Sequence, residues 1–228
     1  MDDNIIEYDL VRSKRKTTAL YIRDGRVEVR APLKLPKSII DRFVMSKQKW
    51  IEEKLAITNE VLAQRESFAL DYGSQITYRG RQYPIAAKEG NRIGFGDDSF
   101  YMPPELPPES IKRICIEIYR LLARRDLTNR TIEIAEIMSA NPSSVKITNA
   151  RTQWGSCTSK GSINYSWRLI IADDELIDYI IVHELAHLTE MNHSERFWDI
   201  VQRHVPDYSE RRTRLNALQH KLAGEDWN

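Results

Sequence analysis

Three of the chain's five histidines fall between positions 183 and 193, in the order His183-Glu184-Leu185-Ala186-His187, then Asn192-His193-Ser194. This spacing constrains the fold more than any other stretch. Residues four apart on a helix stand one above the other on one face. A helix through this segment therefore presents the His183 and His187 imidazoles to a single point. Glu184 is turned about 100° from His183, beside that point and off it. The flanking Ile180, Ile181, Val182, Leu185, Ala186 and Leu188 are uncharged, as a buried helix requires. Asn192 is a turn residue, and a reversal there brings His193 back to the same point. Three neutral nitrogens with a fourth position open are the ligand set of a catalytic zinc site rather than a closed structural one. One Zn2+ per chain is expected, held by His183, His187 and His193. Glu195, Asp199 and His204 are the alternative third ligands, and the six-residue step from His187 favours His193.

The chemistry follows from the charges. Zinc held by three neutral imidazoles keeps its full charge, polarises a carbonyl and lowers the pKa of a bound water from about 15.7 toward 7. Glu184 is placed to take that water's proton as general base and return it to the leaving group. An oxyanion needs a further donor, for which Arg151, Arg168, Tyr165, His204, Tyr208 and Arg211 all remain open. Composition excludes several other classes. A net charge of +1 gives no global field toward nucleic acid or membrane. There is no apolar run of spanning length. Two cysteines, Cys115 and Cys157, make no disulfide framework, and the acidic start Met1-Asp2-Asp3-Asn4 lacks the order of a secretion signal. A cytoplasmic enzyme is the expectation, with a peptide, protein or small-molecule substrate and no membrane partner.

Residues 4–31 read as three strands with a hairpin at Asp24-Gly25, and Arg12, Lys14, Arg15 and Lys16 form a basic turn that is either a solvated loop or a phosphate contact. One helix is expected from Pro36 to about Arg65, with Ile39, Ile40, Phe43, Val44, Trp50, Ile51 and Leu55 as its apolar stripe. Short β runs at 75–78, 82–86, 92–95 and 100–102 can join the first three strands in one antiparallel sheet. Pro103 to Pro108 is the linker candidate. A long helix follows to about Met138, then strands at 145–148 and 162–171. Asp173 and Ser194 are expected N-caps of the two following helices, and a basic helix runs from about Ser209 to Leu222. The domain reading is 1–105, β-rich with one long helix, and 106–228, the catalytic core, or both as one compact unit.

Several segments together resemble the YgjP-like family of metal-dependent hydrolases, zincin-type proteins similar to the SprT and WLM peptidases. They are His183-Glu-Leu-Ala-His187-Leu, Asn192-His193-Ser194, Phe197-Trp198, Arg151-x-x-Trp154-Gly-Ser-Cys157, Ile163-Asn-Tyr-Ser-Trp167-Arg168-Leu and Val29-Arg30-Ala31-Pro32. The resemblance implies an α+β fold: an antiparallel N-terminal β region, then a minimal zincin core with its active-site helix against a sheet. It implies His183, His187 and His193 as metal ligands and Glu184 as the catalytic residue. It also puts the 162–171 strand at the cleft, available to pair with an extended substrate. Arg151, Trp154, Tyr165 and Arg168 are the candidate substrate-binding residues. Glu190 stands where the astacin and adamalysin type has glycine, so those enzymes' subsites are not carried over. The leading expectation is a zinc-dependent metallopeptidase. The alternatives are hydrolysis of a phosphorylated small molecule such as a nucleoside triphosphate, resting on Arg12–Lys16, Arg151, Lys160, Arg168 and Arg211–Arg214, and a nucleic-acid-associated SprT-like protease, which the balanced charge does not favour.

Overall fold

The computed structural model describes residues 6–227. The acidic N-terminus and the first residues of the expected β region lie outside them. Two compact units are present. One runs to Phe68 and includes Lys221–Asp226, and the other is Ala69–His220 with Trp227.

In the first unit, strands β1 (Asp9–Ser13), β2 (Ala19–Arg23) and β3 (Arg26–Pro32) form a sheet of order β1-β3-β2. Asp24 and Gly25 join β2 to β3 with φ of 48° and 73°. Both values are left-handed, as a tight hairpin turn whose twist matches its strands demands. Val27, Val29 and Ala31 alternate inward and are buried with Ile40, Val44 and Ile51. The expected single helix is two, α1 (Lys37–Met45) and α2 (Gln48–Ser67). The break falls at Ser46-Lys47, where Lys47 leaves helical geometry (φ −112°, ψ 11°) and the Ser46 hydroxyl donates back to the Phe43 carbonyl at 2.7 Å. Ile39 and Trp50, counted in the apolar stripe, face solvent as a result. Arg12 donates to the carbonyls of Pro32, Leu33 and Leu35 at 2.8–3.0 Å. It ties down the end of β3 instead of meeting a phosphate.

The second unit begins with β4 (Gln75–Tyr78), β5 (Arg81–Ala87), β6 (Gly94–Gly96) and β7 (Ser99–Met102), in the order β4-β5-β7-β6. The expectation of one antiparallel sheet is corrected twice. These strands form their own sheet, and both sheets are mixed, with β1 parallel to β3 and β5 parallel to β7. Alternation marks a strand's faces and says nothing of its neighbour's direction. Helix α3 (Pro108–Met138) starts with proline at its first position, where the missing N–H costs no bond. It ends at Ser139 in left-handed geometry (φ 52°). The β4–β7 sheet belongs with α3, so the boundary falls at Phe68/Ala69, well before residue 105. Phe100 meets Tyr119 at 5.2 Å, and the Tyr119 hydroxyl donates to the Thr77 carbonyl at 2.6 Å. The proline-rich segment is held rather than free, because the Tyr72 hydroxyl donates to the Pro103 carbonyl.

A second sheet follows, with β8 (Ser144–Thr148), β9 (Gly155–Cys157) and β10 (Ser162–Ser166) in the order β8-β10-β9. The expected strand at 162–171 stops at Ser166, and Trp167–Ile171 is a short 3₁₀ helix, fully buried. Helices α4 (Asp174–Ala186), α5 (Glu195–His204) and α6 (Tyr208–Ala223) complete the unit. Asp173 caps α4, its Oδ1 accepting from the Leu176 amide at 3.0 Å, a contact worth about 1 kcal/mol. No helix among the described residues is long and apolar enough to cross a membrane.

Candidate metal centre

Helix α4 is apolar nearly all round, with Leu176, Ile177, Ile180, Ile181, Val182, Leu185 and Ala186 buried. The polar side chains it carries are therefore held in a dry setting. The helix ends at Ala186, and the turn after it folds the chain back. The Glu190 amide donates to the Ala186 carbonyl at 3.0 Å. The Glu190 carbonyl then lies 3.1 Å from His187 Nδ1. A carbonyl only accepts, so Nδ1 carries the proton and Nε2 keeps its lone pair, the tautomer a metal ligand needs. The backbone of Glu190 thus orients the His187 ring.

His193 is fixed from both sides. Asn192 Oδ1 accepts from the Ser194 amide at 3.1 Å, and Ser194 Oγ caps α5 by accepting from the Phe197 amide at 3.4 Å. The imidazole stacks on Trp198 (5.7 Å, 26°), which stacks in turn on Tyr208 (5.0 Å, 19°). Phe197, fully buried, touches all three imidazoles at 4.5–4.9 Å between ring centres.

The three histidines offer ring nitrogens that lie within 4.8 Å of one another. His183 Nε2 and His193 Nε2 are 3.1 Å apart. Zinc–nitrogen bonds of about 2.0–2.1 Å at tetrahedral angles place ligand nitrogens roughly 3.3 Å apart, so the His183–His193 spacing fits such an ion. Burial, then the neighbouring His187 and His193, press the His183 pKa down to about 3, and burial likewise lowers that of His187. Both rings are neutral at pH 7, with lone pairs available.

Glu184 sits beside this set, 4% exposed, and burial alone pushes its pKa up to about 8. What faces it is Gly155 of β9. A Cβ at Gly155 would lie 2.6 Å from Glu184 Oε1 and 2.7 Å from Cγ. Only glycine lets this backbone pass so close to the carboxylate.

The four candidate substrate residues separate. Trp154 lines a 190 Å3 cavity with Gly155, Tyr179, Ile180, His183, Glu184, Arg212, Leu215 and Asn216. Arg151 lies in an exposed bend outside that lining, its carbonyl accepting from Gln219 at 3.1 Å. Tyr165 and Arg168 are corrected to core positions. Tyr165 is fully buried with its hydroxyl 3.3 Å from Thr131 Oγ1, and the Arg168 guanidinium donates to Asn149 Oδ1 and the Trp227 carbonyl, both at 3.0 Å. Strand β10 is also corrected. It is central, bonded to β8 on one side and β9 on the other, so neither edge is free for a substrate. The edge strands are β8 and β9, and β9 is the one whose Gly155 meets Glu184. Cys157, half-buried on β9, is not among the metal-facing nitrogens and its thiol pKa is raised by burial. Arg211 and Arg214, invoked for phosphate, are paired with Asp207, Asp173 and Glu175. Of the lining residues, Tyr179, Leu215 and Asn216 escaped the sequence reading. Tyr179 stands four before His183, a spacing that would have found it. Arg212 was expected only as part of the Arg211–Arg214 phosphate group, and it lines this cavity instead.

An α+β frame that brings three imidazoles to one point, beside a buried carboxylate, defines a metal-dependent hydrolase. Comparison with known families narrows this. The chain belongs to the YgjP-like family: the description "YgjP-like, metallopeptidase domain" matches residues 16–218. Among solved structures, the metallopeptidase zymogen abylysin of Pyrococcus abyssi is similar at 23% identity, over 39% of this chain and 90% of that one, with a TM-score of 0.37. The zymogen jannalysin of Methanocaldococcus jannaschii is similar at 21% identity, over 40% and 96%, with a TM-score of 0.35. No curated protein matches the chain.

Proposed function

We propose that this metallopeptidase is a zinc enzyme that cleaves peptide bonds, with His183, His187 and His193 as ligands and Glu184 as general base. The observation that carries the reading is the convergence of three imidazoles beside an almost fully buried glutamate. Zinc in that site would supply a polarised carbonyl and an acidified water. Glu184 would take a proton from the attacking water and hand it to the leaving amine. Trp154 and Tyr179 exclude water on the cavity side. The extended substrate lies along β9, the edge strand of its sheet that meets Glu184, in place of the β10 contact expected from the sequence.

Cleavage of casein or fluorogenic peptides by the purified protein tests this. A chelator should abolish it, zinc should restore it, and Glu184→Gln should remove turnover while keeping the metal. Turnover that persists at the wild-type rate in Glu184→Gln, or without metal, would sink the proposal.

A further inference from the structure

Helix α6 carries three arginines in its first turns, and they meet different surroundings. Arg211 donates to Asp207 Oδ2 and to the Glu175 carbonyl, both at 2.9 Å. Arg214 pairs with Glu175 at 2.6 Å and Asp173 at 2.7 Å. These two clamp α6 to the start of α4. Arg212, turned about 100° from Arg211, has no hydrogen bond or ion pair among the described residues. It lines the 190 Å3 cavity instead. Asn216 follows one helical turn later on the same face and lines the cavity too. The remaining walls are largely apolar: Trp154, Tyr179, Ile180 and Leu215. The far wall is His183 and Glu184 themselves. An exposed cation with no ion pair among the described residues therefore stands at the mouth of a small cavity whose far wall carries His183 and Glu184.

We propose that this cavity is a carboxylate-recognising subsite, in which Arg212 and Asn216 hold an acidic side chain or the free C-terminus of the peptide beside the bond cut. This rests on the peptidase function above. A guanidinium offers a planar fork that fits a carboxylate with two parallel bonds. Arg211 and Arg214 are already paired with Asp207, Asp173 and Glu175, whereas Arg212 has no acid within ion-pair distance among the described residues. A lysine side chain in the same chamber meets a like charge. At 190 Å3 the cavity is smaller than the ~300 Å3 or more of a small-molecule site. It takes one side chain or a chain end, not a whole nucleotide.

The test compares peptide pairs that differ only as Glu against Gln, scanned through the sequence, or as free against amidated C-terminus. Binding is measured calorimetrically on zinc-loaded Glu184→Gln protein, and cleavage of the same pairs on zinc-loaded wild type. The carboxylate member should bind and be cut about 10- to 100-fold better, with Arg212→Gln erasing the ratio. The pair that shows the effect identifies the source of the carboxylate. Equal handling of both members, or a preference that survives Arg212→Gln, overturns the subsite alone. If no member of any pair is bound or cut, the peptidase reading falls and takes the subsite with it.

Discussion

His187 and His193 reach one point from six residues apart, whereas Gly155 and Arg212 reach their places beside it from distant parts of the second unit. The first group is assembled by local rules: helical spacing, a helix end, a turn and a cap. The second exists only because β9 and α6 pack against α4. The near side fixes what chemistry the site can perform, and the far side fixes what can reach it.

The most damaging way to break this division is to alter the near side from the far one. Gly155→Ala puts a methyl into Glu184, and we expect kcat to fall by about 10²-fold or more, the scale of a displaced general base. Zinc content should stay unchanged, because no ligand is touched. Steady-state kinetics with metal analysis checks this, and near-normal kcat would show that the close approach has no catalytic consequence. Next in size is Trp198→Ala, which removes the ring on which His193 stacks. Zinc should bind about 10- to 100-fold more weakly in a competition titration with a chromophoric chelator, and Trp198→Phe should recover most of the loss. A third effect concerns stability without metal. Folded Glu184 titrates near 8 and an unfolded glutamate near 4.5, so the folded state favours the protonated form. Its contribution is whole below about pH 4.5 and is lost as pH rises through 8. Metal-free Glu184→Gln should therefore melt above metal-free wild type at pH 8, with the gap closing toward pH 4.5. The smallest effect sharpens the comparison from outside. Arg151→Ala lies off the cavity and should change stability by no more than about 0.5 kcal/mol, with kcat/KM for a neutral peptide nearly unaffected.

The residues explain what was legible. The histidine spacing, the Asp173 and Ser194 caps, the Asp24-Gly25 hairpin and the end of α3 all rest on bonds within a few residues, and each appears where the sequence puts it. The break at Ser46-Lys47 carries no proline or glycine, so the apolar period ran straight across it. Trp167-Arg-Leu-Ile-Ile171 is almost continuously apolar, and periodicity cannot separate a buried strand from a buried 3₁₀ turn in such a run. Tyr165 and Arg168 are polar-tipped residues near the motif, which suggested the cleft, yet their partners Thr131, Asn149 and the Trp227 carbonyl lie well apart in the chain. The central place of β10 depends on β8 and β9 both choosing it, and strand pattern alone does not encode that. Nothing in the sequence singles out Gly155, because a glycine's close contact is invisible until the carboxylate above it is placed.

The central claim is that three histidines hold one metal and that Glu184 acts beside it without binding it. Metal content per chain, measured by mass spectrometry on wild type, Glu184→Gln and His187→Ala prepared in the same zinc-containing buffer, tests it most directly. The account predicts about one zinc in the first two proteins and far less in the third. A full zinc complement in His187→Ala, or its loss in Glu184→Gln, would contradict it.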